Sequence, residues 1–378
     1  MQVNVDTIIS LFKQPVLMSS YSPSEQSTII IVLRQQNILA RFAYLALEHG
    51  AMHSLHEKAQ RHLRNAIKKS ERQVYQVGIE SQEITKTLAR YSDYVVFLKG
   101  AAYSLSGRLV GKGRLYSDID ILVTKAQLQD CEQALVIAGW LGQEITNYDD
   151  KYYRKWTHEI PPLIHTGRGT VIDVHHNILP IVSKDAPTVE ALAAHVVTTD
   201  DGVQVLSEAA QFVHSAVHLF RNEEYLTAFR DLLDLYLMLT EKSDNEQDVF
   251  IQDIVAVAKQ LGLRYEVGLA FDNLKRIMGS NISQSLIDSC LHKSALRIAF
   301  DQYLFKDILK PQHELLPGSL TPLKHLLATL RGHCIKMPLH LLVYHLSAKS
   351  LRGLAESVLG KHIFTPKDED NNLSEANK

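Results

Sequence analysis

Two short apolar runs constrain this chain more than anything else in it. Residues 94–100 read Tyr-Val-Val-Phe-Leu-Lys-Gly, and residues 118–123 read Asp-Ile-Asp-Ile-Leu-Val. β-Branched and aromatic residues crowded into so few positions, and closed by a glycine or a loop, are the pattern of buried strands. They interrupt a texture that is otherwise helical. From residue 24 to 89 apolar residues recur at spacings of three and four, as at Ile38, Phe42 and Leu45, with a break after Gly50. Similar texture returns beyond Pro187 and runs to about residue 359. The pattern predicts an α+β fold, a small mixed β-sheet core flanked by N-terminal and C-terminal helical regions.

Between the two runs the sequence predicts a short helix after Gly100 and a glycine-rich loop around Gly111 and Gly113. Residues 125–138 read as a helix, with Leu128, Cys131 and Leu135 near one face and Gly139 as its stop. Two further strands are expected at 151–160 and 170–176, with the His165-Thr-Gly-Arg-Gly turn between them. No repeat at a fixed period occurs, so solenoid architectures lose their main support. The chain therefore divides into a helical region (1–90), an α/β core (91–185), a second helical region (186–365) and a tail (366–378). That tail is too polar to offset its ordering entropy and is expected to be disordered.

Charge and cysteine usage narrow the classes of function. Forty Lys and Arg against 42 Asp and Glu leave a formal charge of −2. No global field therefore draws the protein to nucleic acid or an anionic membrane, and such a role would need a local patch. Cys131, Cys290 and Cys334 are widely spaced and form no C-x-x-C pair, which argues against a disulfide scaffold or zinc ribbon. The N-terminus lacks the basic-then-apolar order of a secretory signal, and no run reaches about 18 apolar residues. A cytoplasmic protein without a transmembrane span is expected.

Asp118 and Asp120 are one residue apart in an apolar strand, so the period of two places both on one face and turns Ile119, Ile121 and Val123 to the other. Like charges held about 6–7 Å apart are best tolerated with a cation between them. Mg2+, a hard ion that takes carboxylate and phosphate oxygens, suits the pair. A third acid, Asp173, sits in the similar run Val171-Ile172-Asp173-Val174-His175, which an adjacent strand would bring alongside. Three carboxylates around two Mg2+ ions make a two-metal phosphoryl-transfer site. A two-residue motif also arises by chance, since acids often mark loops and caps.

Upstream, Phe97-Leu98-Lys99-Gly100-Ala101 runs from a strand through a glycine into a helix start, where free N–H groups can bind phosphate. Lys99 adds a point charge. No Walker A loop is present. The run LKGAAYSLSGRLVGKGRLYSDIDILV, with VIDVHHNI downstream, resembles bacterial nucleotidyltransferase-family proteins of the polymerase-β-like superfamily, in a largely uncharacterised branch. VLSEAAQFVHSAVHLF and FRDLLDLYLML resemble the helical region that follows the core in that branch, and the likeness spans roughly residues 35–240. It implies that Gly100 belongs to the phosphate-binding turn, that Asp118 and Asp120 hold metal, and that Asp173 is the base or a further metal ligand. Ala101 departs from the pattern, standing where many members carry a serine that helps hold phosphate.

Other side chains have two readings each. Arg114 and Ser117 precede the D-x-D strand and could reach phosphate oxygens, although an exposed loop arginine would explain the former equally well. His175 shares the face of Asp173 and could support the metal-binding acids or touch substrate. His214 and His218, four apart on a helix, better fit a polar stripe packed on the core beside Asp231 and Asp234 than a metal pair. Arg230 could close over nucleotide or pair with an acid. The basic and apolar segment from Arg331 to Arg352 reads as core-packing helix rather than a membrane contact.

The function expected is transfer of a nucleoside monophosphate from a nucleoside triphosphate (ATP first) to an unidentified acceptor hydroxyl, releasing pyrophosphate. The rivals are a D-x-D metal-dependent glycosyltransferase and a non-catalytic nucleotide-binding module whose helical flanks bind a protein partner.

Overall fold

The computed structural model describes residues 2–142, 145–336, 338 and 340–343. Four helices open the chain: α1 (Val5–Lys13), α2 (Pro23–Gln35), α3 (Leu39–Glu48) and α4 (Glu57–Leu88). In α4 the buried positions Ala59, Leu63, Ser70, Val77, Ser81, Ile84 and Leu88 recur at threes, fours and sevens, so one stripe of a 32-residue helix, mostly apolar, faces inward. Its first half packs on α3 and its second half reaches the sheet.

The central region alternates strands and helices in the order β1 (Val96–Phe97), α5 (Lys99–Leu105), β2 (Ile119–Leu122), α6 (Leu128–Ile137), β3 (Trp140–Gly142), α7 (Asn147–Trp156), β4 (Leu163–His165), β5 (Val171–His175), α8 (Val189–Ala193), β6 (Val196–Thr198) and β7 (Gln204–Leu206). The seven strands form one mixed sheet in the order β3-β4-β5-β2-β1-β7-β6. β2 runs parallel to β5, and β1 parallel to β7; the other neighbours are antiparallel. The fold is thus the α+β arrangement expected, a mixed sheet between helical flanks. Two of its strands, β6 and β7, come from beyond residue 185.

Beyond the sheet lie α9 (Glu208–Arg221), α10 (Ala228–Thr240), α11 (Asp244–Gln260), α12 (Arg264–Asn273), α13 (Gln284–Cys290), α14 (Ala295–Ile308) and α15 (Pro322–Lys336). Parity sorts the sheet's residues. Ile119, Ile121, Ile172 and Val174 join Val77, Ile84 and Leu135 in an apolar cluster under α4 and α6. Asp120, Asp173 and His175 therefore emerge on the other face, toward α9 and α10.

The strand expected at 151–160 is not there, because α7 fills most of it. Thr146 caps that helix by accepting from the Asp149 N–H. Asp149 and Asp150 occupy its first turn and Arg154 and Lys155 its last, matching the helix dipole. Its aromatic residues meet one turn apart, Tyr152 on Trp156 at 6.0 Å between ring centroids. The predicted turn does join two strands, but the strand feeding it is Leu163–His165.

Arg331 of the terminal segment is buried against Asp301, Nε to Oδ1 2.6 Å, as core packing requires. Residues 344–352 of that segment, and the expected tail 366–378, lie outside the described residues. Among the described residues no helix is long and apolar enough to cross a membrane.

Candidate active site

Parallel pairing of β2 with β5 sets Asp120 opposite Asp173 in register, so two carboxylates stand on neighbouring strands about 4.8 Å apart. Asp118 lies two residues before Asp120, immediately ahead of β2, and is half-buried. Asp120 is only 4% exposed. Its Oδ1 accepts from Lys99 Nζ at 2.7 Å and meets His175 Nε2 at 2.9 Å. Burial favours the neutral acid at Asp120, but Lys99 and His175 overcome it and hold the carboxyl well below its usual range.

Asp173 makes no such direct contact with a cation among the described residues. Burial, then repulsion from Asp120, pushes its carboxyl up to about 7, with His175 opposing and Asp118 and Glu159 adding to the rise. Its Oδ1 is buried and has no hydrogen-bond partner among the described residues. An orphaned hard oxygen beside a second carboxylate is the donor set that Mg2+ takes. The three acids singled out from the sequence thus come to one face of the sheet.

Asp118 and Asp120 border a cavity of about 150 Å³ that also touches Lys99, Gly100, Arg114 and Ser117. Ser215 and His218 of α9, with Arg230, Asp231 and Asp234 of α10, form its opposite wall. The chain belongs to the family described as uncharacterised nucleotidyltransferase. The family model matches residues 22–279, which takes in the whole sheet, the three acids and both helices of the facing wall. No curated protein matches the chain.

Within this nucleotidyltransferase frame, each remaining residue named from the sequence has a definite place. Lys99 sits where β1 passes into α5, with φ +47° in the left-handed region, and its ammonium points at Asp120. Burial opposes the charge on Lys99, yet the Asp120 carboxylate raises its pKa overall. Gly100 borders the cavity, but a Cβ there would lie 2.8 Å from Tyr116 Cδ1. Packing of the Tyr116 ring therefore demands the glycine, whatever approaches from the cavity. Ala101 is buried with Phe97 and Ile119 in the cluster under α4 and does not line the cavity.

Arg114 is not an exposed loop side chain but a buried tie. Its Nε donates to Asp234 at 2.8 Å, its Nη2 to Asp231 at 3.2 Å and its Nη1 to the Leu115 carbonyl. Arg41 of α3 reaches the same Asp234 at 2.7 Å. The preceding Gly113, at φ +73°, lets the loop press against α3, where a Cβ would sit 2.5 Å from the Arg41 nitrogen. Asp231 and Asp234 do face the core, as the helical stripe suggested. Arg230 borders the cavity and pairs with Asp231 at 2.8 Å. His214 is buried, and His218 lines the cavity. Burial first, and then Lys99, pushes both imidazoles well below their usual pKa.

Two neighbours of the acids were not foreseen. His158 and Glu159 follow α7, and Glu159 bridges antiparallel to His175. Glu159 Oε2 lies 3.3 Å from His175 Nδ1. The sole sequence signal was a His-Glu dipeptide inside a run read as strand, which carries no spacing to recognise.

Proposed function

We propose that this family member transfers a nucleoside monophosphate from a nucleoside triphosphate to an acceptor hydroxyl. The acceptor oxygen attacks the α-phosphorus, the bond from that phosphorus to the bridging oxygen breaks, and pyrophosphate leaves. The observation that carries this reading is the register of Asp120 against Asp173 across β2 and β5, with Asp118 beside them at the cavity edge. Asp118, Asp120 and Asp173 would hold Mg2+, two ions by the number of carboxylates. Bound there, Mg2+ would neutralise phosphate charge and lower the pKa of the acceptor hydroxyl.

The protein's own groups do the rest. Asp173, opposite Asp120 on the neighbouring strand, would hold the acceptor hydroxyl beside the ions or take its proton. Lys99 and Arg230 offer positive charge to the β- and γ-phosphates from opposite walls. Ser117 offers a hydroxyl, and Gly100 brings backbone to the same cavity. ATP is the first donor to test, and the cytoplasm, which supplies triphosphates and Mg2+, is the proposed location.

One observation favours a second reading. Lys99 and His175 both close on Asp120, as they would in a module that binds nucleotide without turning it over. The family match leaves the glycosyltransferase rival without support. Pyrophosphate release and label transfer, measured with each triphosphate and cell extract as acceptor source, decide between the two. Asp118→Asn and Asp120→Asn should each lower the rate on the order of 10³-fold, the loss of several kcal/mol of charge stabilisation. Equal rates in wild type and both variants would remove the catalytic reading. Calorimetric triphosphate binding with no turnover would establish the binding module.

A further inference from the structure

We propose that His158, Glu159 and His175 form a second metal site, one for Zn2+ or a similar borderline divalent transition ion, on the side of His175 turned away from Asp120. One ligand atom from each of the three lies within 4.8 Å of the others. Ligands around a tetrahedral ion with bonds of about 2.1 Å stand roughly 3.4 Å apart. His175 Nδ1 and Glu159 Oε2 are already at 3.3 Å. The rings of His158 and His175 lie 5.2 Å apart between centroids, tilted by 35°. His158 Nε2 stands 4.0 Å from the same Glu159 Oε2, so its half-buried ring would close by roughly half an ångström to reach that spacing.

An unused donor points into this space. His175 is 2% exposed, yet its Nδ1 makes no hydrogen bond. A buried nitrogen left so costs roughly 1–3 kcal/mol unless something else satisfies it. The other nitrogen of His175 faces Asp120 at 2.9 Å. A carboxylate accepting from one imidazole N–H fixes the tautomer and leaves the opposite lone pair free, as it does behind metal-bound histidines.

Local structure explains why adjacent residues can both contribute. The chain bends at Thr157 and His158 as it leaves α7, so the two side chains do not diverge as they would along a strand. Thr157 Oγ1 donates to the Tyr153 carbonyl at 2.7 Å, lies 2.8 Å from that of Glu159, and holds the bend. Two imidazoles and one carboxylate are a set that zinc accepts in sites with an open fourth position. Nitrogen donors also separate this trio from the all-oxygen acids of β2 and β5, which suit Mg2+. The proposal stands whether or not the acids support nucleotidyl transfer. The competing occupant of the same space is a proton, held on His175 between Asp120 and Glu159.

The test uses the full chain, stripped with chelator and titrated with Zn2+ and with Co2+ in excess Mg2+. One ion per chain is expected to remain through gel filtration, and Co2+ should give a visible band of four- or five-coordinate nitrogen and oxygen ligation. His158→Ala and Glu159→Gln should each weaken binding about 100-fold or more. Asp118→Asn, which leaves the trio intact, should not. X-ray absorption on zinc-loaded wild type counts imidazoles without any substitution, and two are expected. Failure of wild type to retain either ion, fewer than two imidazoles, or unchanged affinity in both ligand variants would overturn the site. Loss of binding in Asp118→Asn alone would place the ion on the strand acids and overturn it equally.

Discussion

Two charged clusters meet at the site, and they are built on opposite principles. On the helical side, three arginines, Arg41, Arg114 and Arg230, meet two aspartates, Asp231 and Asp234, through contacts of 2.7–3.2 Å. On the sheet side, Asp118, Asp120, Asp173 and Glu159 share one lysine, Lys99, and one histidine, His175. The first cluster gives every carboxylate direct guanidinium contacts and is closed. The second does not, and the shortfall appears as the proton that Asp173 keeps up to about pH 7. A buried ion pair that balances itself signals scaffold, whereas an excess of one sign signals room for a ligand of the other.

The largest test of that contrast is Asp234→Ala. It strands Arg41 and Arg114 without their shared partner and should cost roughly 3–5 kcal/mol in denaturant unfolding. A loss near zero would mean the helical cluster does not hold the loop to α3 and α10.

Asp173→Asn should act in the opposite direction. Its folded pKa, about 7, exceeds the ordinary carboxyl value, so the native state binds more protons than the unfolded chain between about pH 4 and 7. Wild-type stability from this group is therefore fully present below pH 4 and lost as pH rises through 7. The variant, which cannot ionise, should be roughly 2–4 kcal/mol more stable relative to wild type at pH 8 than at pH 4. Melting curves at the two pH values check this, and a pH-independent difference would break the account of the sheet-side cluster.

Gly100→Ala probes the seam between the clusters and should destabilise by about 1–3 kcal/mol, because Tyr116 must move. Full stability would leave the cavity as the only reason for glycine. The smallest effect is expected from Arg230→Ala. It should raise the KM for triphosphate about tenfold with little change in melting, the loss of one charge-assisted hydrogen bond worth roughly 1.5 kcal/mol. An unchanged KM would exclude phosphate from that wall.

Sequence parity alone was enough to put Asp118 and Asp120 on one face and Ile119 and Ile121 on the other, because a strand's period of two needs no tertiary information. Asp173 was legible for the same reason, and the pairing of β2 with β5 supplied what parity could not, its neighbour. Arg114 was less legible. Whether a loop arginine reaches phosphate or a buried aspartate depends on Asp234, 120 residues away. Lys99 was read as a phosphate contact, but only the backbone turn at that residue aims it at Asp120. The segment 151–160 is helical where a strand is expected, and the signal for that helix lies outside it, in the capping Thr146. His158 and Glu159 lay inside that misread stretch.

The left-handed backbone at Lys99 has a mechanical consequence. An L-residue there bears a torsional penalty of roughly 1–2 kcal/mol, offset while its ammonium is docked on Asp120. Any ion or ligand that competes for that carboxylate would remove the contact that offsets the torsion. Occupancy at the bottom of the cleft is thereby wired to the first turn of α5, much as a latch is to its bolt.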